Sequence, residues 1–599
     1  MPAATLPARS DIAQELTWDL ESIYPTPEAW EGDFKALEAR LPELASFEGK
    51  LGASAQQLAA GLKLHDDLGV TLGKLYSYAH MRRDEDSTQS HAQALHDRVV
   101  GLYARFSAAG AFFTPEIVGL DPAVIEAWIE TEAELARYRF LLASTLRQKP
   151  HVRSAEVEGL LAQSMEIGHG ASTIYDMLQD ADMKFPVIRD DDGNEVEMTH
   201  GRYIPFQQSA DRRVRKESFE ALHGTYAAYR NTVAASYATS VKGDVFYARA
   251  HHYESAQQAA MDGENIPLDV YSNLVSTVES RLDLMQHYLR LRKRVLGLDE
   301  LHMYDVYAHL VPSAKKVIPY GEAKDQVLAA VAALGSDYRE AVHHGLSTRW
   351  VDVYETPGKA SGAYSSGSYG TQPFILMNYQ DNLDGVYTLA HELGHSMHSY
   401  YTRASQPPVY ADCSLFVAEV ASITNEALLT QHLLQQEMDL DTRKALINNE
   451  LEKYRGTLFR QTMFAHFEGE THRMAEAGEA LTSEALNRLY YDLAAKYFAP
   501  ECIVDEQIAF EWSRIPHFYR AFYVYQYATG ISAATALAKA IVNEGQPAID
   551  RYRRFLSAGG SDYPINLLRD AGVDMTSPEP VRAALDHFGG LLEQFEALL

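Results

Sequence analysis

Apolar positions recur at helical spacing through most of the chain. Residues 10–180 alternate amphipathic runs with short polar breaks such as LPELASFEGKLGAS, the pattern of successive surface helices. Two stretches depart from it. PVIRDDDGNEVEMT, at 186–199, predicts a β-hairpin turning at Asp192-Gly193. At 350–378, WVDVY and PFILMN are rich in strand-forming residues and are separated by the glycine- and serine-rich SGAYSSGSYG. After 380 helical spacing returns and persists to the end, and no short repeat or low-complexity tract interrupts the chain. The pattern predicts a mainly α-helical protein with one small sheet. An amino-terminal helical region over 1–200 would be closed by the hairpin, and a second region would run over 201–599.

One predicted helix carries chemistry. Counting 100° per residue from His391, the apolar residues Val386, Leu389, Leu393, Met397 and Tyr400 fall within about 160–240°. His395 falls near 40° and His398 near −20°, roughly opposite them. The helix is thus anchored by one face and presents histidines from the other, and Pro407-Pro408 follow its expected end. Within it, HELGH at 391–395 has the H-E-x-x-H spacing. Residues i and i+4 lie one turn apart on one face, so His391 and His395 can grip one Zn²⁺. Glu392, offset by about 100°, reaches a water beside the metal without being a ligand. The five letters alone arise by accident in roughly one chain of this composition in fifteen, so the arrangement of the helix faces carries the reading.

A zinc site that performs chemistry usually has three protein ligands and one open position. SLFVAEVASITNEALL, 414–429, is apolar nearly all round and predicts a buried helix containing Glu419 and Glu426 seven apart. Buried carboxylates need a cation or hydrogen-bond donors. Glu419 is the expected third ligand, and Glu426 the group that holds the far nitrogen of a ligating histidine. His398 is the competing third ligand. It ranks lower because ligands at 0, +4 and +7 of one helix span about 10 Å of rise.

HELGHSMHS followed by FVAEVASITNE resembles the oligoendopeptidase F branch of the thimet oligopeptidase family of zinc peptidases. LTWDLESIYPTPEAWEGDFKAL, SGAYSSGSYGTQPFILMNY and RIPHFYRAFYVYQYATG extend the likeness from near residue 17 to beyond 560. The resemblance implies a large helical zincin-type metallopeptidase with one Zn²⁺ on the floor of a deep substrate channel, admitting short unfolded oligopeptides. It also implies that a histidine and tyrosines of the last segment hold the scissile carbonyl oxygen: His517, with Tyr523 and then Tyr527. Thimet-type relatives place a tyrosine five residues after that histidine, where this chain has Phe522, so Tyr523 is taken one residue later. Tyr519, Tyr523, Tyr527 and Gly530 also fall on one stripe at helical spacing, a pattern that core packing produces too.

Zinc peptidases commonly pair an extended substrate with a sheet edge. PFILMNY, with Phe374 and Leu376, is either that edge or a core strand. The loop 362–370, with Gly362, Tyr364 and Gly367, is either a cover over bound peptide or a plain connection. Carboxypeptidase or peptidyl-dipeptidase specificity on the same machinery is the alternative to endopeptidase action. A non-catalytic peptide- or zinc-binding protein would not require Glu392. The net charge of −29 disfavours nucleic acid and anionic membrane as partners. Two cysteines, Cys413 and Cys502, rule out a disulfide framework or cysteine zinc site. With no apolar leader in MPAATLPARSDIAQELTWDL and no run of transmembrane length, a cytoplasmic location is expected.

Overall fold

The computed structural model describes residues 6–311 and 317–599; residues 1–5 of the opening stretch lie outside the described residues. The architecture is mainly α-helical. The described strands are short: β1 (Val187–Arg189) and β2 (Glu195–Glu197) form the antiparallel hairpin, and β3 (Val351–Asp352), β4 (Tyr364–Ser366) and β5 (Phe374–Leu376) form a three-stranded sheet. The hairpin turns where the sequence predicts. Gly193 takes φ +82°, and the Asp190 carboxylate accepts the main-chain N–H groups of Asp192 and Asn194.

The chain divides into two compact units, each assembled from separated stretches. One comprises Met1–Val152, Lys315–Gln435 and Leu537–Val573. The other comprises Arg153–Ala314, Gln436–Ala536 and Asp574–Leu599, so residue 200 lies inside it.

In the first unit the sheet order is β3–β5–β4, with β5 parallel to β3 and antiparallel to β4. Phe374, Ile375 and Leu376 are fully buried, and Phe374 and Leu376 join a core with Trp18, Trp30 and Leu75. Of the two readings of PFILMNY, sheet edge or core strand, the structure gives the core strand, so Phe374 and Leu376 do not line an edge: the continuous apolar run is that of a central strand covered on both faces. The outer strands are β3 and β4, and the residues flanking β3 already pair with the amino-terminal segment, Asp19 N–H donating to Arg349 O and Val353 N–H to Leu16 O. The Arg9 guanidinium fastens that segment further, pairing with Asp352 at 2.6 Å.

The helix Leu383–Ser405 starts at Asn382, whose side chain accepts the Gly385 N–H, and stops before the two prolines. Val386, Leu389, Leu393 and Met397 are completely buried, each contributing about 1.5–3 kcal/mol of apolar burial. Tyr400 departs from this face. It is 38% exposed, its ring resting beside Trp350. The helix Leu415–Leu434 packs along it.

In the second unit the long helix Arg212–Ala250 packs against helix Arg460–Glu476, which in turn packs against helix Leu268–Glu279. Helix Arg460–Glu476 carries the buried Phe464, Phe467, Glu468 and His472.

Candidate active site

The two histidines of HELGH and the predicted carboxylate converge on one point. His391 Nε2 and His395 Nε2 are 3.1 Å apart, and Glu419 Oε2 lies 3.3 Å from the first and 3.6 Å from the second. Four ligands at about 2.0–2.1 Å from one ion stand about 3.3–3.4 Å apart in a tetrahedron. The triangle therefore has the size of one face of a tetrahedral zinc site, and it is the group of metal-competent side chains found among the described residues.

Glu426 takes the supporting position. Its Oε1 lies 2.6 Å from His391 Nδ1, accepting that proton and leaving Nε2 free to bind metal. Glu419 is not buried as its helix suggested; its side chain is 40% exposed. A third ligand beside an open coordination position has to face accessible space, so this exposure agrees with the role. His398 lies elsewhere. It is buried against Phe555, outside the metal-competent group, and burial pushes its imidazole down to about 4. That environment favours a neutral packing histidine over a ligand.

Gly394 makes the convergence possible. A Cβ built there would lie 2.5 Å from Ser422 Cα and 2.7 Å from Ala421 O. The two helices thus touch backbone to backbone at the level of the ligands. Asn425 spans the same crossing, donating to Ala390 O and accepting from the Tyr338 hydroxyl.

Glu392 is 6% exposed. Burial pushes its carboxyl up to about 7; the neighbouring Glu419 and Glu426 charges act in the same direction, and His391 opposes them. The sheet edge also acts on it. Ile375 N–H is committed to Trp350 O, so the β4–β5 bonds fall at the pairs Tyr364–Leu376 and Ser366–Phe374. The main chain of Ser365 consequently points away from β5, and its backbone hydrogen bond favours the ionised form of Glu392. The Ser365 hydroxyl meets that of Ser396, 2.8 Å away on the histidine helix. His391 has burial working against its cation, but Glu419 and Glu426 prevail and push it up to about 10. Burial, then the charge on His391, lower His395.

The residues expected to touch substrate divide. Phe374 and Leu376 are core. Tyr364 is on the outer strand β4, with its hydroxyl donating to Asp84 at 2.9 Å. The 362–370 loop, expected as either a cover or a connection, carries β4 and is tied on either side of it: Asn378 donates to Gly362 O, and Arg403 to Gly367 O. Gly367 takes φ +128°, and a side chain there would press on Gln372 O at 2.9 Å.

His517, Tyr523 and Tyr527, in the second unit, form an aromatic cluster. The His517 and Tyr523 rings are nearly parallel at 6.2 Å, and Tyr527 stands edge-on to both at 5.9 and 5.3 Å. The helical stripe is corrected, because the helix begins at Tyr525. Tyr519 belongs to the short turn Pro516–Tyr519 and stacks on Tyr175 at 4.5 Å instead. Burial and the Arg460 and Arg520 charges lower His517.

The model of peptidase family M3 matches residues 206–587, and that of oligopeptidase F matches residues 116–185. The chain belongs to peptidase family M3. Within that family it sits in the oligoendopeptidase F branch, and it is a metalloendopeptidase. It is 48% identical to oligopeptidase PepF of Bacillus subtilis over all of this chain and 89% of that protein. A solved chain from Chlamydophila abortus is 34% identical with a TM-score of 0.93, covering 99% of this M3 peptidase and 100% of itself. Oligoendopeptidase-F from Enterococcus faecium is 36% identical with a TM-score of 0.75, covering 95% and 99%.

Sequence reading of this M3 peptidase missed Gly394, Asn425 and Ser365. Asn425, a polar residue in an otherwise apolar helix, carried a usable signal, since a buried amide has to be hydrogen-bonded. Gly394 gave none, because the backbone it approaches belongs to a different helix.

Proposed function

We propose that this M3 peptidase is a zinc-dependent endopeptidase that hydrolyses internal bonds of short unfolded oligopeptides, with its catalytic machinery in residues 201–599. The observation that carries this reading is the His391–His395–Glu419 triangle, whose edges fit a single tetrahedral ion. Residues His391, His395 and Glu419 would hold one Zn²⁺, and Glu426 would orient His391. Zinc, when bound there, supplies Lewis-acid polarisation of the scissile carbonyl and acidifies water.

The protein's own residues do the rest. Glu392 accepts the proton of the attacking water and then delivers it to the departing amine nitrogen. Its buried position keeps its proton affinity near neutrality, which suits both transfers. His517 and Tyr523, with Tyr527 packed against them, donate hydrogen bonds to the oxyanion that forms on the carbonyl carbon. The outer edge of β4 pairs with an extended peptide, so affinity comes from main-chain bonds and sequence demands are weak. A narrow channel, as the family likeness implies, restricts entry to unfolded segments.

The test uses a peptide blocked at both ends, with products read by mass spectrometry. Internal cleavage that stops on chelation supports the reading; no cleavage of the blocked peptide, with cleavage of its free-carboxylate form, establishes exopeptidase action instead. Glu392→Gln should keep its metal and lose at least about 10²-fold in kcat. Near-normal turnover by that variant would remove Glu392 as the base.

A further inference from the structure

Phe522 adopts φ +53°. A residue with a bulky side chain avoids this left-handed region. Of the described non-glycine residues that enter it, His252, Asn265, Arg349 and Phe522, only Phe522 is buried. Such a conformation persists only where its surroundings over-determine it, and it concentrates at functional sites.

One face of helix Arg460–Glu476 supplies the constraint. The Phe522 N–H donates to Glu468 Oε1 at 2.8 Å, and the Phe522 ring lies 4.6 Å from that of His472, four residues further along the helix. His472 is itself held, Nδ1 against Glu468 O at 2.9 Å and Nε2 against Asp244 Oδ2 at 3.2 Å. Tyr271 closes the far side of the Phe522 ring at 5.7 Å.

Glu468 is a costly residue to keep. It is fully buried, and among the described residues it is in no ion pair with Lys or Arg and its Oε2 has no hydrogen-bond partner. Burial pushes its carboxyl up to about 8, against the His472 charge and the Phe522 N–H, which favour the ionised form. An apolar side chain would fill this core at less cost. What the carboxyl provides is an acceptor for the buried N–H of the left-handed residue. The next residue is Tyr523. Its ring faces His517, with the Arg520 guanidinium 4.2 Å over it and Tyr527 edge-on.

We propose that Glu468 is a positioning residue for catalysis: by anchoring the Phe522 N–H it holds the left-handed turn that sets the Tyr523 ring against His517 and Tyr527. This rests on the assignment of His517 and Tyr523 to the oxyanion.

The test compares zinc-loaded, full-length variants. Glu468→Leu removes the acceptor, and should lower kcat and kcat/KM together by about 10²-fold, the scale of a displacement near 1 Å, with KM and zinc content unchanged. Glu468→Gln is isosteric with the neutral acid and keeps an acceptor oxygen, so it should stay within about threefold of the parent. In a Tyr523→Phe background, Glu468→Leu should add less than about threefold, because coupled residues are non-additive. Should Glu468→Leu not fold, Glu468→Asp withdraws the carboxyl by one methylene and should cost about tenfold in kcat. The proposal is overturned if the acceptor-free or shortened variant keeps parental kcat, if Glu468→Gln is as damaged as Glu468→Leu, or if the loss is undiminished in the Tyr523→Phe background. Full activity of Tyr523→Phe and His517→Ala alone would instead overturn the oxyanion assignment, whatever position 468 does.

Discussion

Gly394 and Ser422 meet so closely that a single methyl group has no room between them, the built Cβ falling 2.5 Å from Ser422 Cα. The fourth letter of HELGH is thus a packing requirement set by the helix that carries Glu419. Gly394→Ala makes opposing contributions. Alanine stabilises a helix interior by about 0.5–1 kcal/mol relative to glycine, whereas forcing extra volume into a packed contact costs about 1–3 kcal/mol. Here the obstructing atoms are backbone, which yields least, so the second effect prevails. The helices separate and Glu419 withdraws from the imidazoles. Zinc affinity of Gly394→Ala, measured by competition with a chromophoric chelator, should fall about tenfold or more.

Glu426 acts on the metal through His391. Its carboxylate takes the Nδ1 proton at 2.6 Å and fixes the tautomer that leaves Nε2 available. Glu426→Ala should therefore weaken zinc binding by about 10–100-fold, the usual cost of losing such a partner. Glu426→Gln should lose less, since its amide oxygen still accepts the proton. Equal affinities for all three proteins would separate Glu426 from the site.

The same contacts set a pH dependence. Without metal, burial disfavours the His391 cation, but Glu419 and Glu426 outweigh it and push the imidazole up to about 10. Binding requires the neutral ring. At neutral pH zinc uptake should thus release a proton from His391, and affinity should rise with pH up to about 10, by about tenfold per unit. The sign for stability is opposite. A raised folded-state pKa contributes stability in full below the ordinary imidazole value near 6.5, and that contribution disappears as pH climbs through about 10. Apoprotein should lose stability from neutral to alkaline pH on this account. Calorimetry in buffers of different ionisation heats measures the proton release, and an affinity flat between about pH 6 and 9 would contradict it.

His391, His395, Glu419 and Glu426 were legible in sequence because each pair shares one helix, and helical spacing alone places their side chains. The helix pair came with them, since Val386, Leu389, Leu393 and Met397 mark one face unambiguously. Sheet order was not legible. The run Phe374–Leu376 reads equally as a covered edge or a central strand, and what decides between them is Trp350 and Tyr364, the neighbours pairing on either side. The tyrosine stripe misled for a related reason. Helical periodicity does not run through Tyr519 and Tyr523, where the chain makes a short turn and a left-handed residue before its helix starts at Tyr525. Phe522 shows no local signal for positive φ; its conformation is imposed by Glu468, more than fifty residues earlier.

Lys359 ties the sheet to the rest of the first unit. Its ammonium is completely buried, 2.7 Å from Asp352 Oδ1, and it donates to the carbonyls of Asp352, Tyr354 and Met377. These acceptors lie along β3, β5 and their extensions: one cation satisfies Tyr354 O and Met377 O beyond the short ladder and adds a second donor to Asp352 O, which also accepts the Met377 N–H. Lys359→Met preserves length and apolar bulk while removing every donor. Asp352 retains Arg9, which offsets part of the lost charge, and its carbonyl retains the Met377 N–H, but Tyr354 O and Met377 O lose the buried donor. Removing one partner of a buried pair costs about 3–5 kcal/mol, and the retained Arg9 puts this case toward the lower figure. The loss should appear as a lower urea midpoint and as faster proteolytic release of the amino-terminal segment, whose Leu16 is bonded to the same strand region. Zinc content should be less affected than stability, because none of the metal-binding side chains contacts Lys359. An unchanged urea midpoint would show that the Arg9–Asp352 pair alone holds this corner of the sheet.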